Sequence, residues 1–592
     1  MVSCFGGLIF GNFSAANASE DLPSGAGALR FRSVLMANYF MREKHLPLVA
    51  LVGGLLIATA FVVWLWSKVR HDGDGGPDAA VSVDTTERPL MAAAATVDGT
   101  AAEAQRGLAR SKLKSLLQSR LETKNARAHE AVLTFKSEDA YRKFLARAGA
   151  VGLRLRGQID SLRTVRVGYD TIDPLVDDML GNATDFQSVD ANYLVQVPAT
   201  PAAEDRPKVS QVPLGNNSLA FLGVTGDHSQ WGRGVTVAVL DSGVAADVTL
   251  SGGRVQYLDL GFGLLPGTGP EDGHGTAVAG LVAGASPDAP GVASAAAILS
   301  IRVTGADGSS DSFTLAQGIL AAVDAGARII NISMGSYSDT AVLASAIGYA
   351  SAQGAVIVAS AGNDGAAQLT WPAADSRVVS VGAVDALEQQ VYFSNGGAQL
   401  KITAPGYGVD TAWLNGQRVS FDGTSASAPL VAGAIAAVMS TTPGLSATEA
   451  WAIVQRYASD GGAPGPDPEY GGGILNLGWA MNRNDPTRVD TAIAGEYYDS
   501  ATGTMNVVVQ NRGAQAASGL QLNVTVSGVT TSQVVPALNS GATYLFKSPV
   551  SAEQLAASGG IVFRTQLINS AGTVDQVPAN NAKSGVIIPP VK

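Results

Sequence analysis

The chain has very little cysteine, histidine and charge, and each shortage excludes a class of protein. Its single cysteine is Cys4, and it has five histidines. One cysteine cannot form a disulfide within the chain, and it cannot supply the ligands of a structural zinc finger. Charged residues make up only 15% of the 592 residues, and the net charge of −11 argues against a general nucleic-acid binder. The apolar fraction of 46%, with abundant glycine, is typical of closely packed α/β enzymes of several domains.

One long uncharged run, LPLVALVGGLLIATAFVVWLW at residues 46–66, lies near the N-terminus. Its length matches a helix that crosses a bilayer, which needs about 20 apolar residues. We therefore expect a transmembrane anchor here, so that the chain binds a membrane through residues 46–66 and keeps residues 1–45 in the cytoplasm. A cleaved signal peptide is the alternative, because Ala58-Thr59-Ala60 offers a small-x-small cleavage site.

The next two segments differ in composition. Residues 67–127 begin as a linker rich in Asp, Gly, Ala and Thr and end in a leucine pattern among Arg and Lys, which predicts a basic amphipathic helix with the character of a solvated stalk. Residues 128–198 then alternate as β-α-β-β-α-β, with ANYLVQVP at 191–198 as the expected last strand. This order predicts a small ferredoxin-like α+β domain.

Residues 210–485 carry a different pattern, in which buried strands alternate with helices. The run VTVAVLDSGV reads as a parallel strand that ends at Asp241, and later strands end just before Ser333 and Asn363. The alternation predicts an α/β fold with a doubly wound parallel sheet. Functional residues collect at the carboxyl ends of such strands, so we expect these three residues at one edge of the sheet.

Two further segments supply a base and a hydroxyl. His274 stands between glycines in GHGTAVAG, and Ser425 opens the long small-residue helix predicted from GTSASAPLVAGAIAAVM. A serine is a poor nucleophile until an imidazole takes its proton, and the imidazole needs a carboxylate to orient it. Glycines allow the backbones to approach closely, and the N-terminus of a helix favours developing negative charge.

Together the four blocks VAVLDSGV, GHGTAVAG, SAGNDG and GTSASAP resemble, in this order, the signatures of the subtilisin-like serine proteases. The resemblance covers about residues 210–485. It implies that Asp241 orients the imidazole, that His274 is the general base and then the general acid, and that Ser425 is the nucleophile. It also implies that Asn363 and the backbone N–H of Ser425 form the oxyanion hole.

The same resemblance implies a pocket for the residue before the cleaved bond. The two segments that resemble its walls are made of small or neutral residues, namely Ser333, Met334, Gly335, Ser360, Ala361 and Gly362. They suggest that, among protein or peptide substrates, the enzyme prefers a neutral or apolar residue before the cleaved bond. The family requires no cofactor. Its members often bind calcium, but the chain has no run of the D-x-D-x-D-G type, and we interpret Asp307 and Asp311 as parts of a solvated loop.

The domain at 128–198 resembles, in its position and pattern, the propeptides of this family, which assist folding and block the cleft. Charge favours such a docked pair. Residues 101–200 hold 15 Lys and Arg against 12 Asp and Glu, whereas residues 210–485 hold 9 against 22, so the net charges are +3 and −13. The proline-bearing segment 199–213 is the expected processing site.

Residues 487–592 alternate in short strands, which predicts a β-sandwich that loosely resembles immunoglobulin-like adhesion modules. It would either cap the protease or bind a surface. The expected function is that of a serine endopeptidase that acts outside the cytoplasm, anchored in a membrane or secreted if the N-terminal segment is cleaved. The rival hypothesis is a non-catalytic cell-surface binding protein on the same scaffold.

Overall fold

A computed structural model describes residues 99–198, 211–269, 272–305, 307–499, 502–551, 553, 555, 560–570 and 574–587. All of them belong to one compact unit. The apolar segment 46–66, the linker that follows it and most of the expected processing segment lie outside the described residues.

The N-terminal part of the described chain is a small α+β unit. Its elements in chain order are α1 (Gly99–Leu121), β1 (Glu130–Phe135), α2 (Glu138–Arg147), β2 (Arg154–Ile159), β3 (Thr164–Gly168), α3 (Asp173–Gly181) and β4 (Phe186–Asp190). The four strands form an antiparallel sheet in the order β2-β3-β1-β4. Ser137 caps α2 by accepting from the backbone N–H of Ala140, which satisfies one of the helix's free donors.

Aromatic rings and one long helix close the core of this unit. The ring of Phe135 lies 4.9 Å from that of Phe144 and 5.1 Å from that of Phe186. Leu117 and Leu121 of α1 are buried in the same core, so the end of α1 packs on the unit. The prediction of a solvated stalk is therefore wrong for the C-terminal turns of this helix. There the two leucines, one helical turn apart, pack against the sheet and helices of the unit.

The sequence pattern predicts that residues 191–198 form the last strand of this unit, and this prediction is wrong. That strand is β4, which ends at Asp190. The chain continues as β5 (Leu194–Gln196), which pairs with a strand of the following domain instead. The alternation of ANYLVQVP shows that the segment is extended, but alternation alone does not say which strand is its partner.

The following domain contains a seven-stranded sheet and the helices that cover it. Its elements are α4 (Ser218–Phe221), β6 (Thr236–Asp241), β7 (Val255–Leu258), α5 (His274–Ala283), β8 (Ala285–Ser286), β9 (Ala289–Pro290), β10 (Ala297–Arg302), β11 (Ser309–Asp311), α6 (Ser312–Asp324), β12 (Ile329–Ile332), α7 (Ala341–Ala352), β13 (Val356–Ser360), β14 (Val379–Val384), β15 (Ile402–Pro405), β16 (Val409–Ala412), β17 (Arg418–Phe421), α8 (Thr424–Thr441), α9 (Ala447–Arg456) and α10 (Leu477–Met481).

The large sheet is parallel throughout and runs in the order β15-β14-β13-β12-β6-β10-β7. Both of its faces are buried. Val237 and Val239 pack with α5 and α8 on one face, whereas Ala238 and Leu240 pack with α6 and α7 on the other. Because β6 lies inside the sheet between β12 and β10, where the strand order changes direction, its carboxyl end opens into the crevice in which such sheets bind ligands.

Helix α8 runs through the middle of this domain. Among the described residues it is the one helix long and apolar enough to cross a membrane, but 83% of it is buried inside the protein. Ala, Gly, Val and Ile account for most of its length, and these small or branched side chains allow close packing against β12 to β15. Its apolar character is therefore explained by its place in the core.

The C-terminal part consists of two antiparallel sheets around one core. Its strands are β18 (Thr491–Asp499), β19 (Thr504–Asn511), β20 (Leu520–Val526), β21 (Val529–Val535), β22 (Thr543–Pro549), β23 (Ile561–Asn569) and β24 (Ala582–Ile587). The sheets are β18-β19-β22 and β21-β20-β23-β24. Ile493 and Val507 of the first sheet pack with Leu522 and Phe563 of the second. The sequence pattern indicates β19 to β23, the five middle strands in chain order, but neither β18 nor β24.

The buried carboxyl of Glu496 in β18 should make the free energy of unfolding depend on pH. Burial raises the pKa of its carboxyl from the ordinary 4.5 to about 6, and the negative charge of Glu388 adds to the rise. The positive charge of Lys583 and the hydrogen bond donated by the Thr565 hydroxyl lower the pKa, but by less than burial raises it. The folded protein then binds more protons than the unfolded chain between these two values. Stability should therefore fall by about 2 kcal/mol as pH rises from 4.5 to above 6.

Glu496→Gln should remove this pH dependence, because an amide stays neutral throughout. Urea unfolding of both proteins at pH 4.5 and 8 measures the difference, and Glu103→Gln on the exposed face of α1 serves as the matched control. The same change in unfolding free energy with pH in wild type and Glu496→Gln would refute the assignment.

Candidate active site

A buried carboxylate and an imidazole meet where β6 ends and α5 begins. Nδ1 of His274 lies 2.8 Å from Oδ1 of Asp241, and the backbone N–H of Ser242 donates to the same oxygen at 2.7 Å. The side chain of Asp241 is fully buried and that of His274 is 4% exposed. With Nδ1 held by the carboxylate as a donor, Nε2 is left as the nitrogen that can accept a proton.

The glycines on either side of His274 are required by close contacts. A Cβ on Gly273 would lie 2.1 Å from the indole ring of Trp413, and a Cβ on Gly275 would lie 2.4 Å from the carbonyl oxygen of Gly243. Real side chains do not tolerate such distances. Gly275 thus lets the first turn of α5 lie directly against the end of β6, which brings His274 to Asp241, whereas Gly273 makes room for the indole of Trp413.

One aromatic side chain packs against the imidazole, and a second lies beside the first. The ring of Phe421 meets that of His274 edge to face at 5.2 Å, and Trp413 lies 6.4 Å from Phe421. Both come from the hairpin β16–β17 and its turn. They were missed in the sequence, where the signal is weak: an aromatic residue stands four positions before Ser425, but nothing local says which group it will cover.

Ser425 is the second residue of α8 and lies beside the end of β12. Its Oγ donates to the carbonyl oxygen of Ser333 at 3.2 Å, and Oγ of Ser333 donates to the carbonyl oxygen of Ser425 at 3.3 Å. Nε2 of His274 is buried and has no hydrogen-bond partner among the described residues. The serine therefore lies at the site with its hydroxyl turned to Ser333, and hydrogen bonds of this kind often form only when substrate is bound.

Asn363 is oriented so that its amide nitrogen is free. Its Oδ1 accepts from the backbone N–H of Thr424 at 2.9 Å and from the Thr424 hydroxyl at 2.8 Å, whereas the buried Nδ2 has no partner among the described residues. A Cβ on Gly423 would lie 2.8 Å from Nδ2 and 3.5 Å from the backbone nitrogen of Ser425. Two donors therefore flank one small space at the start of α8, where an anion is favoured.

The six residues predicted to line a substrate pocket fall at the ends of β12 and β13, beside Ser425. Gly335 and Gly362 are packed tightly, since a Cβ on either would lie within 2.4 Å of a side-chain atom, Oγ1 of Thr370 or Nδ2 of Asn395. The other four, Ser333, Met334, Ser360 and Ala361, are fully buried. Because these residues reach the site mainly through their backbones, Thr370 and Asn395, which the sequence analysis missed, are additional side chains beside the pocket walls.

The loop before α6 does not fit a calcium site, and Asp311 is not solvated as expected. One oxygen of Asp311 accepts from Thr314 at the start of α6, and the other is paired with Arg127 at 2.8 Å and Arg166 at 3.0 Å. Asp307 accepts from the backbone and hydroxyl of Ser309. Among the described residues, no group of three or more acidic, histidine or cysteine side chains is placed to hold a metal.

Comparison with known proteins supports the family that the four sequence blocks resemble. The model of the subtilase family matches residues 232–473. Subtilisin BL and Subtilisin Savinase, both from Lederbergia lenta, are each 35% identical to this chain over 249 residues, which are 41% of this chain and 90% of each relative. Subtilisin DY from Bacillus licheniformis is 34% identical over 255 residues, 42% of this chain and 90% of its own length.

A solved structure extends the likeness in fold. The crystal structure of fervidolysin from Fervidobacterium pennivorans, described as a keratinolytic enzyme related to subtilisin, aligns with a TM-score of 0.52 and 19% identity, over 75% of this chain and 88% of its own. At that identity the match supports the fold alone. The sequence matches go further, because they span nine-tenths of each subtilisin, and they show that this chain belongs to the subtilase family and is a serine-type endopeptidase.

Proposed function

We propose that this endopeptidase works through a triad of Asp241, His274 and Ser425. The observation that carries the proposal is the 2.8 Å hydrogen bond between the two buried side chains of Asp241 and His274, which leaves Nε2 without a partner among the described residues. In the proposed reaction, Nε2 takes the proton of Ser425 while Oγ bonds to the substrate carbonyl carbon. The carbon–nitrogen bond then breaks, the leaving amine takes that proton, and water hydrolyses the acyl-enzyme.

The developing oxyanion would be stabilised by the free amide of Asn363 and the backbone N–H of Ser425. Thr424 supports this role because it occupies both lone-pair directions of Oδ1, so the amide cannot turn over without losing two hydrogen bonds. Donors fixed before the reaction cost no reorganisation when charge develops.

Ser425→Ala should abolish peptide hydrolysis and labelling by a fluorophosphonate probe while leaving the fold intact, since only one hydrogen bond, to Ser333, is lost. Ser427→Ala is the matched control on the same helix. Its hydroxyl donates to the carbonyls of Ala404 and Pro405 and has no place in the mechanism, so this variant should stay active. Labelling of Ser425→Ala at the wild-type level would refute the triad.

Asn363→Ala should lower kcat by about 100- to 1000-fold with little change in KM, because an oxyanion donor acts mainly in the transition state. This range was measured for one such donor in a subtilisin and is carried over from the family. Asn363→Asp keeps the oxygen that Thr424 needs but loses the amide donor, so it should lose activity as well. An active Asn363→Asp enzyme would mean that Asn363 only positions Thr424.

We also propose that residues 128–198 are a propeptide and that the protease cuts its own chain between 199 and 213. Support comes from the contacts between the small unit and the protease domain. Oδ1 of the fully buried Asn192 accepts from the hydroxyl of Ser312 and from the backbone N–H of Phe313 at the start of α6. Arg127 and Arg166 pair with Asp311 at the same helix terminus. These ion pairs join basic side chains of the positively charged part to an acidic side chain of the negatively charged part.

Gly157→Val should loosen this docking, because a Cβ on Gly157 would lie 2.7 Å from Cε1 of Phe313 in α6. Overpacking of this kind costs about 1–3 kcal/mol. Fluorophosphonate labelling of the uncut chain should therefore be faster than in wild type. Gly149→Val is the control, since no atom lies within 4 Å of its added Cβ. Equal labelling rates in all three proteins would contradict the docked propeptide.

We propose that the enzyme acts outside the cytoplasm, with residues 46–66 as its anchor and the catalytic domain on the outer side. Self-cleavage after the propeptide would then free the protease unless the cut propeptide stays bound.

We assign the C-terminal sheets a stabilising role. Lys583 pairs with Glu388 of the protease domain, and the side chain of Gln510 accepts from the backbone N–H of Asp460.

A further inference from the structure

The segment that follows the small unit enters the active-site cleft as an extra strand. On one side β5 pairs antiparallel with β11, with Gln196 opposite Ser309, and the backbone N–H of Val197 donates to the carbonyl of Gly308 at 3.3 Å. On the other side Gln196 pairs with Gly335, each N–H donating to the other's carbonyl, at 3.0 and 3.2 Å. The segment therefore lies between two edges of the cleft.

The register of this pairing places a proline at the nucleophile. In an antiparallel pair, hydrogen-bonded positions alternate with positions that are not bonded. Because Gln196 and Gly335 form a bonded pair, the next bonded pair is Pro198 with Ser333. Any other residue at 198 would have an N–H to donate to the carbonyl of Ser333, but proline has none.

The carbonyl of Ser333 has another partner in this structure. It accepts the hydroxyl of Ser425 at 3.2 Å, while Nε2 of His274 has no partner among the described residues. A residue with an N–H at 198 would compete for this carbonyl and favour release of the Ser425 hydroxyl toward the imidazole. With Pro198 in place, the hydroxyl of Ser425 keeps its hydrogen bond to the carbonyl of Ser333.

We propose that Pro198, because it has no N–H to donate to the carbonyl of Ser333, slows hydrolysis of the bond that follows it and so delays the maturation of the chain. This inference rests on the proposed roles of Ser425 and of residues 128–198. The bond concerned joins residues 198 and 199, so the pairing register moves the expected cut to the N-terminal end of the segment 199–213 proposed above. Oγ of Ser425 bonds to the carbonyl carbon of Pro198, the bond to the following nitrogen breaks, and that nitrogen takes the proton carried by His274.

The test compares the full-length chain with Pro198→Ala, made in a cell-free pulse so that cleavage is followed from synthesis. The variant regains an N–H opposite Ser333, and one backbone hydrogen bond corresponds to a rate increase of about tenfold. We expect Pro198→Ala to be cut about ten times faster than wild type, with a new N-terminus at Ala199 by sequencing. Pro198→Val is a second variant with an N–H, and it should behave likewise.

Two controls separate this inference from its premises. Pro198→Ala combined with Ser425→Ala should remain uncut, and Pro207→Ala, a proline further along the chain, should be processed at the wild-type rate. Equal rates for wild type, Pro198→Ala and Pro198→Val in enzymes that hydrolyse a chromogenic peptide overturn the role of Pro198 and leave the proposed function standing. Rapid cleavage of both variants at another bond overturns the register. Absence of peptide hydrolysis and fluorophosphonate labelling in all proteins overturns the proposed function itself.

Discussion

The hydrogen bond between Asp241 and His274 constrains the rest of the protease domain. A carboxylate with no exposed surface is costly unless it is hydrogen-bonded, so the end of β6 must meet the start of α5. The hydroxyl of Ser242 helps to join them, because it accepts from the backbone N–H of Gly275 and donates to the carbonyl of Asp272. Such contact is possible only where no side chain intervenes, which is why a glycine, Gly275, follows the histidine.

The sheet brings the remaining groups to this contact. Parallel strands end at one edge, and β6 and β12 are neighbours, so Asp241 and Ser333 follow adjacent strands at the same edge. Helix α8 packs against the buried face of the same strands and begins at that edge, which places Ser425 against Ser333. The small residues of α8 thus have a functional consequence, because a bulkier helix would stand further from the sheet and carry Ser425 away from the site.

The sequence predicted the strands and helices that depend on local pattern. It failed to predict which distant segments or side chains pair with one another. The strands that end near Asp241, Ser333 and Asn363 are continuous apolar runs, and α8 is long, so both were recognisable. The destination of β5 was not, because an alternating segment pairs equally well with any exposed edge. For the same reason Asp311 looked like a solvated loop residue. Its two arginine partners lie more than 140 positions earlier in the chain, and no local signal reports them.

Asp311 connects the docking of the small unit to the substrate cleft. It ends β11, the strand that pairs with β5, and it caps α6, while Arg127 and Arg166 approach it from the small unit. Separation of the two parts would break both of these ion pairs, each of which joins a side chain from the small unit to Asp311. Cleavage of the chain changes none of these contacts. If residues 128–198 are the propeptide that we propose, hydrolysis and release are separate steps, and the ion pairs at Asp311 would hold the cut unit against the protease domain.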